Sequence, residues 1–443
     1  MHKVTRDALT LIVFSAIASI ASYFYTFAMA RMLSIEEYSL LYSIIALTYI
    51  LSIPQETIRT VISLYTTKYD SKKEYGKIRG LMKSTLKKVF IFSIIAFIIF
   101  LAISPLLTGL FHTNYWILIV AGSILIFSFM LPVIWGVYQG LGKFKALGIN
   151  NSIEGIVKLG IAILIVAILP LNIKIYGALA VAPISLILAF LIGILSFGFL
   201  KKFKTEKIKE SFGKYSFATL IMFGLVVLMY SLDIILARYF FSPKISGIYA
   251  GVSLICKALF FIATGAKRAM MPNLTIAAKN EKKQEFECQK ILKKVSLMIL
   301  ILFAAALALF WIFPEQVINL VLGSKYLDAA PYLKYMTVAI AFFSFSNLLV
   351  YYNLSINKNK RMTIRVLGSA AFLEIVLLIL FHNSIGQFIN MLLIVYILLF
   401  ISMVTITIIS PKQAIKEKQE LEKLKKRFNK SHKSIKRQFF YRK

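Results

Sequence analysis

The feature that most constrains this chain is a series of apolar stretches, each long enough to cross a lipid bilayer. A helix needs about 20 mostly apolar residues to span the hydrocarbon core, and we count twelve such stretches in the 443-residue sequence. They cover residues 8–30, 39–63, 89–111, 115–138, 147–169, 176–200, 215–237, 245–267, 295–313, 331–354, 363–382 and 387–409. The segments between them leave no room for a soluble domain. The sequence therefore predicts an all-α integral membrane protein with about twelve transmembrane helices.

Short patterns of the first half return in the second half in the same order. An alanine-arginine pair, with a serine nine residues and a tyrosine twelve residues after the alanine, occurs twice. The copies are Ala30, Arg31, Ser39 and Tyr42, and Ala237, Arg238, Ser246 and Tyr249. Leu86 to Val89 then returns as Leu292 to Val295, and Leu147-Gly148 with Glu154 returns as Leu367-Gly368 with Glu374. Three ordered matches indicate an internal duplication, which in a membrane protein is typical of transporters.

The distribution of positive charge predicts the orientation of the chain. Of the 52 lysines and arginines, 43 lie in segments that face one side of the membrane and five in segments that face the other. The positive-inside rule places the richer side, and with it both termini, in the cytoplasm of a multi-pass protein of the cell's inner (plasma) membrane. Since topology and anionic membrane lipids explain the net charge of +33, nucleic acid is not an expected partner.

An even number of helices in each half gives both halves the same orientation, so the repeat is parallel. The sequence predicts an N-terminal six-helix lobe over residues 1–205, a C-terminal six-helix lobe over 206–410 and a basic cytoplasmic tail over 411–443. Basic and apolar residues alternate in the tail. It is expected either to lie as a helix on the inner leaflet or to be solvated and partly disordered.

No catalytic constellation is visible in the sequence. The four histidines, at positions 2, 112, 382 and 432, fall at a terminus, at helix ends and in the tail, which does not suit a metal site or an acid/base pair. Outer loops are short, so a polysaccharide polymerase or ligase would have little from which to build an active site. We expect no enzyme activity and no cofactor.

Charged residues inside the apolar stretches are the candidate functional residues, because an ionisable group in the hydrocarbon region is costly unless it faces protein or water. Lys257 lies near the predicted midplane. Two interpretations stay open for it. It either faces a central cavity as a cation for a phosphate or pyrophosphate, or it pairs with a carboxylate such as Asp233 or Glu374.

Other intramembrane charges favour structural pairs. Glu56 and Arg59 are one helical turn apart, and Glu154 and Lys158 have the favourable i, i+4 order.

Asp233 aligns with Thr26 in the first half and so has no carboxylate counterpart there. With Glu374 and Asn390 it is a possible binding site for a coupling Na⁺ or H⁺. The aromatic runs Tyr23 to Tyr25 and Tyr239 to Phe241, at matching helix ends, are interpreted as membrane-interface belts.

Several passages together resemble one family. These are the duplicated alanine-arginine pattern, the turn from Tyr138 to Phe144 (YQGLGKF) and the passage from Gly323 to Tyr326 (GSKY). They resemble the Wzx-type oligosaccharide flippases of polysaccharide biosynthesis, in the multidrug/oligosaccharidyl-lipid/polysaccharide (MOP) exporter superfamily, over essentially the whole chain. The resemblance implies two six-helix lobes in a V around a central cavity that opens alternately to each side.

The cargo implied by the resemblance is a polyprenyl-pyrophosphate-linked oligosaccharide, with other polysaccharide-assembly proteins as possible partners. Its pyrophosphate needs cations, for which Lys257 and Arg59 are the candidates, with Lys267 and Arg268 as entry contacts at the inner mouth. A multidrug or cation extruder of the same fold is the alternative. Such a protein needs buried carboxylates for cationic substrates, and this chain offers few.

Overall fold

A computed structural model describes residues 2–206, 217–277, 284–356 and 360–408. Every regular element in these ranges is helical. The α-helices are α1 His2–Met32, α2 Ile35–Leu51, α3 Ile53–Asp70, α4 Tyr75–Phe111, α5 Tyr115–Gly122, α6 Ile124–Ser128, α7 Leu131–Gly140, α8 Phe144–Ile168, α9 Lys174–Ser196, α10 Phe217–Phe240, α11 Pro243–Ala277, α12 Gln284–Ile312, α13 Pro314–Val321, α14 Leu333–Ser355, α15 Lys360–Leu380 and α16 Ile385–Ile408. The predicted all-α class is confirmed, and the tail at 411–443 lies outside the described residues.

The helices account for nearly all of the predicted membrane spans. Ten helical segments of the described ranges are long and apolar enough to cross a membrane. The pair α2 and α3, bent by 42° at its break, forms an eleventh. Pro54 lies in the first turn of α3, where its missing N–H ends the hydrogen-bond ladder of α2. The predicted span 8–30 is helical as α1 but is not among these eleven.

Large apolar side chains cover the outside of the bundle. On α4, Phe90, Ile91 and Ile95 are exposed, and on α12, Leu297 and Ile301 are exposed. Continuous apolar exposure of this kind is unfavourable in water. These faces therefore meet lipid, and α4 and α12 occupy corresponding positions in the two halves.

Contacts within each half build the bundle, and a few helices join the halves. In the first half α1 packs on α8, α8 on α9, and α3 on α7; in the second half α11 packs on α14, α12 on α14, and α10 on α15. Helix α2 crosses over and packs against α10 and α11. The boundary predicted between 205 and 206 stays a prediction, since it adjoins residues 207–216, which are not described.

At one end of the bundle the two halves are held together by the duplicated motif itself. We call this the Arg31 end. The hydroxyls of Ser39 and Ser246 are 2.6 Å apart. Beside them Gly247 lies so close to Ile35 that a Cβ atom would overlap the Ile35 carbonyl oxygen. Ser34 starts α2 with a capping box, in which Glu37 N–H donates to Ser34 Oγ at 3.1 Å.

The two arginines of the repeat bind reciprocally across the halves. Arg238 donates to the carbonyl oxygens of Phe111 at 2.9 Å, Glu36 at 3.4 Å and His112 at 3.5 Å, all in the first half.

Arg31 donates to the carbonyl oxygens of Val321 and Asn319, both at 3.1 Å, and to that of Leu320, all in the second half. Lys325 donates to the carbonyl oxygen of Arg31 at 3.0 Å and to that of Leu33. The Arg31 end is therefore closed.

Candidate functional site: a central cavity and a buried charge cluster

A cavity of about 170 Å³ lies between helices of both halves. Helices α1, α2 and α8 of the first half and α10 and α11 of the second half contribute to its wall. The lining residues are Ala18, Ser19, Ser22, Tyr23, Thr26, Tyr42, Tyr49, Asn151, Glu154, Tyr230, Leu254 and Phe261. Most of them carry a hydroxyl, an amide or an aromatic ring, so the wall is polar but nearly uncharged.

Aromatic rings form a connected array along the cavity wall. Tyr23 and Tyr230 each contact Phe261 edge-on, with ring centroids 5.1 and 5.4 Å apart. Tyr49 contacts Tyr230 in the same way at 6.2 Å. These geometries are the favourable ones for aromatic pairs. These contacts hold the rings of Tyr23, Tyr49, Tyr230 and Phe261 against one another along the wall.

Glu154 is the only charged residue among the described residues of the lining, and it is paired. Lys158 donates to Glu154 Oε1 at 3.1 Å, and the side chains of Lys158 and Glu154 are 15% and 14% exposed. The structural pair predicted from the i, i+4 spacing is present. Glu154 also interacts electrostatically with Tyr49, which places its carboxylate at the aromatic wall.

A second polar cluster is completely buried in the second half, behind Tyr230. Lys257 donates to Asp233 Oδ1 at 2.7 Å and Oδ2 at 2.9 Å, and to the carbonyl oxygen of Tyr230 at 2.5 Å. Tyr249 donates to Asp233 Oδ2 at 2.6 Å. Asp233 and Lys257 both have no solvent exposure. Lys257 therefore pairs with a carboxylate, as the second interpretation of the sequence predicts. It is not part of the lining of the central cavity.

Glu374 lies in the same cluster without a hydrogen-bond partner in the described ranges. It is fully buried, and neither carboxylate oxygen is bonded. Electrostatic interactions link Glu374 to Asp233 and Lys257 and to Tyr249 and Tyr396. The cluster therefore combines two carboxyl groups with one ammonium group.

The duplication relates the cavity wall to this cluster. Thr26, Tyr42 and Glu154 line the cavity, and their counterparts Asp233, Tyr249 and Glu374 form the buried cluster. Lys257 replaces Ile50 at the fourth equivalent position. In the first half, three of these positions border an open cavity. In the second half, the equivalent residues lie around the side chain of Lys257, which pairs with Asp233.

Two more of the predicted cavity cations, Arg59 and Lys267, are not part of the cavity lining. Arg59 donates to Gln139 Oε1 at 3.1 Å and is 3.8 Å from Glu56, so the predicted structural pair is present. Lys267 is fully buried, with its ammonium 4.4 Å from the ring centre of Phe260, and is not an exposed entry contact. The side chain of Arg268 lies outside the described residues.

Asn390 does not join the predicted ion site. It is exposed, whereas Asp233 and Glu374 are completely buried. On the same helix, Phe388, Ile389 and Leu392 are buried. Helix α16 therefore turns a different face from that of Asn390 toward the bundle. Of the predicted trio, Asp233 and Glu374 lie in the buried cluster with Lys257, and Asn390 lies outside it.

Sequence reasoning missed the tyrosines of the cavity. The sequence pattern predicts an interface belt for Tyr23, but this side chain lines the cavity and donates to the carbonyl oxygen of Lys257 at 3.1 Å. Tyr25 is buried and donates to the carbonyl oxygen of Ala178 at 2.9 Å. The one available signal was Tyr42, which belongs to the duplicated motif. Tyr49 and Tyr230 belong to no motif that would mark them in the sequence.

Comparison with known proteins identifies the family. The sequence matches the family model described as "Polysaccharide biosynthesis protein" over residues 4–275, more than half of the chain. No curated protein matches the sequence.

Solved structures share the fold. An inward-facing multidrug resistance MATE family transporter of the MOP superfamily is similar with a TM-score of 0.69 and 13% identity, covering 91% of this chain and 96% of that chain. Lipid II flippase MurJ in an inward closed conformation gives 0.68 and 14%, with coverages of 89% and 87%. An outward-facing MATE family transporter gives 0.60 and 12%, with coverages of 92% and 95%.

These findings confirm the resemblance deduced from the duplicated motif and the turns. The chain has the fold of the MOP superfamily transporters and belongs to the polysaccharide biosynthesis protein family.

Proposed function

We propose that this protein is a flippase that carries a polyprenyl-pyrophosphate-linked oligosaccharide from the cytoplasmic to the outer leaflet of the cell membrane. It works by alternating access, for surface polysaccharide biosynthesis. The sugar head passes through the central cavity while the polyprenyl tail stays in the bilayer. The Arg31 end faces outward, in keeping with the charge distribution of the sequence.

The observation that carries this proposal is the polar, nearly uncharged cavity between two duplicated halves whose repeat motifs contact each other at the Arg31 end. Hydroxyls, an amide and aromatic rings are the groups that bind a sugar, whose ring has polar edges and apolar faces. Reciprocal contacts of Arg31 and Arg238 close the outer end. A cargo taken up from the cytoplasm would meet a cavity sealed from the outside.

The same cavity disfavours the multidrug or cation extruder. A cationic drug needs an uncompensated carboxylate, and Glu154, the acid of the lining, is already paired with Lys158 at 3.1 Å. The pyrophosphate, in turn, finds no cation among the described lining residues. It travels nearer the cytoplasmic end, where Arg59 is partly exposed at 26% of its side chain.

Glu374 is the proposed site of energy coupling. Two carboxyl groups and one ammonium group leave a net negative charge if all are ionised, and an uncompensated charge away from water is strongly unfavourable. Asp233 is satisfied by Lys257 and Tyr249, so Glu374 is the group that takes up a proton or a Na⁺ ion. No permanent cofactor is required.

The experiment that tests the function is deletion of the gene followed by lipid analysis of both leaflets. A flippase predicts that lipid-linked glycan accumulates on the cytoplasmic leaflet and that surface polysaccharide is lost. Unchanged glycans with altered drug sensitivity would favour the extruder. Purified protein in liposomes should then move a labelled lipid-linked glycan across the bilayer.

A further inference from the structure

We propose that the central cavity is a subsite for one neutral or amino sugar unit of the cargo and that it rejects acidic sugars. The inference rests on the proposed flippase function and specifies the chemistry of its cargo. Size sets the first limit. Drug-sized ligands occupy pockets of about 300–1,000 Å³, whereas this cavity measures about 170 Å³. Its wall therefore surrounds about one sugar ring at a time, and the rest of the oligosaccharide head extends beyond the cavity.

The wall has the two surfaces that a sugar ring needs. The rings of Tyr23, Tyr49, Tyr230 and Phe261 present aromatic surface to the apolar C–H face of a sugar. Tyr49 is 38% exposed, and no partner binds its hydroxyl within the described ranges. That hydroxyl is therefore available to the sugar's polar edge, as a group that is both donor and acceptor.

Charge sets the selectivity. Among the residues that the structure describes, the lining contains one carboxylate, Glu154, and no lysine, arginine or histidine. Lys158 uses Oε1 of that carboxylate, which leaves Oε2 to accept a hydrogen bond from a sugar hydroxyl or a sugar ammonium. A uronic acid would bring a second carboxylate beside Glu154 without a cation in the wall. Like charges placed together in this way cost several kcal/mol, so acidic sugars are excluded.

The repeat supports this assignment independently. At the equivalent positions of the second half, the ammonium of Lys257 lies between Asp233 and the Tyr230 carbonyl. There the chain itself supplies a hydrogen-bond donor to its carboxylate. In the first half Thr26 stands where the second half has Asp233, and Ile50 stands where it has Lys257. No lysine side chain therefore fills the equivalent space beside Thr26, Tyr42 and Glu154, and that space is left for a ligand.

Binding of defined lipids to purified full-length protein in nanodiscs tests the proposal. The probes are polyprenyl-pyrophosphoryl N-acetylglucosamine, polyprenyl-pyrophosphoryl glucuronic acid and the sugar-free polyprenyl pyrophosphate. The wild type should bind the neutral sugar lipid at least about tenfold more tightly than the acidic one. Tyr49→Phe should weaken binding of the neutral lipid by about 3- to 10-fold, the value of one hydrogen bond. Tyr239→Phe, half exposed and away from the cavity, should change nothing.

Glu154→Gln provides the sharper measurement. It removes the carboxylate and leaves Lys158 as the charge nearest the cavity, so the preference should shift toward the acidic lipid. The double variant Glu154→Gln/Lys158→Met removes both charges and should bind the two sugar lipids nearly equally. This control shows whether the single variant acts through charge rather than through folding. Equal binding of both lipids by the wild type, or an unchanged ratio in Glu154→Gln, overturns the subsite. Failure to bind or flip any of the lipids instead overturns the flippase function.

Discussion

Ser39 and Ser246, equivalent residues of the two repeats, lie against each other with their hydroxyl oxygens 2.6 Å apart. These two residues are 207 positions apart, which is the offset that reveals the duplication in the sequence. Equivalent residues of the two repeats are thus in direct contact in the fold. Arg31 and Arg238 follow the same rule, since each binds carbonyl oxygens of the opposite half. A contact between equivalent positions lies on the axis that relates the lobes, where small rotations open or close one end.

Removing the Arg238 side chain should loosen the Arg31 end. Arg238→Gln leaves the carbonyl oxygens of Phe111, Glu36 and His112 without their charged donor, and such bonds contribute about 1.5–3 kcal/mol each. We expect a lower unfolding temperature and faster labelling of a cysteine introduced at Ser39. Lys244→Gln removes an exposed cation of the same end and is the matched control. Equal labelling in both variants would mean that the arginine does not hold this end closed.

Adding a side chain at Gly247 should force the halves apart. A Cβ atom there overlaps the Ile35 backbone, which belongs to the opposite half and cannot be displaced without moving α2. Gly247→Ala should therefore shift the protein toward a state open at the Arg31 end and lower transport. Gly265→Ala, in open space on the same helix, should have little effect. Spin labels across the Arg31 end measure the distance, and an unchanged distance in Gly247→Ala would refute the prediction.

Breaking the buried ion pair should destabilise the second half. Lys257→Met leaves Asp233 buried with only Tyr249 as a donor, and loss of one partner of a buried pair costs about 3–5 kcal/mol. Lys257→Met/Asp233→Asn removes both charges and should recover most of the lost unfolding free energy. Denaturation of the purified variants measures both values. A single variant as stable as the wild type would argue against the pair.

Glu374→Gln separates energy coupling from folding. A neutral amide replaces a carboxyl group that has no hydrogen-bond partner in the described ranges, so the protein should remain stable. Transport by this variant should no longer respond to an imposed H⁺ or Na⁺ gradient. Glu56→Gln, with a side chain that is 73% exposed, is the control and should retain the response. Gradient dependence that survives in Glu374→Gln would exclude this residue as the coupling site.

The sequence was sufficient for the all-α class, for nearly all of the spans and for the family, because these depend on length, apolarity and spacing. It could not decide how each helix is rotated, since a helix that is apolar on all sides has no periodicity to fix its orientation. For this reason the sequence alone leaves Lys257 equally compatible with the cavity and with Asp233, and it groups Asn390 with the ion site. Likewise, the position of Tyr23 at a helix end suggested lipid, although α11 of the other half covers it.

Cross-linking Ser39 to Ser246 tests alternating access most directly. Their oxygens are within reach of one another, so cysteines at both positions should form a disulfide, which requires Cβ atoms about 3.5–4.5 Å apart. The oxidised Ser39→Cys/Ser246→Cys protein should bind lipid-linked glycan but deliver none to the outer leaflet, and reduction should restore delivery, whereas each single variant should work under both conditions. Normal delivery by the fully cross-linked protein would contradict the account.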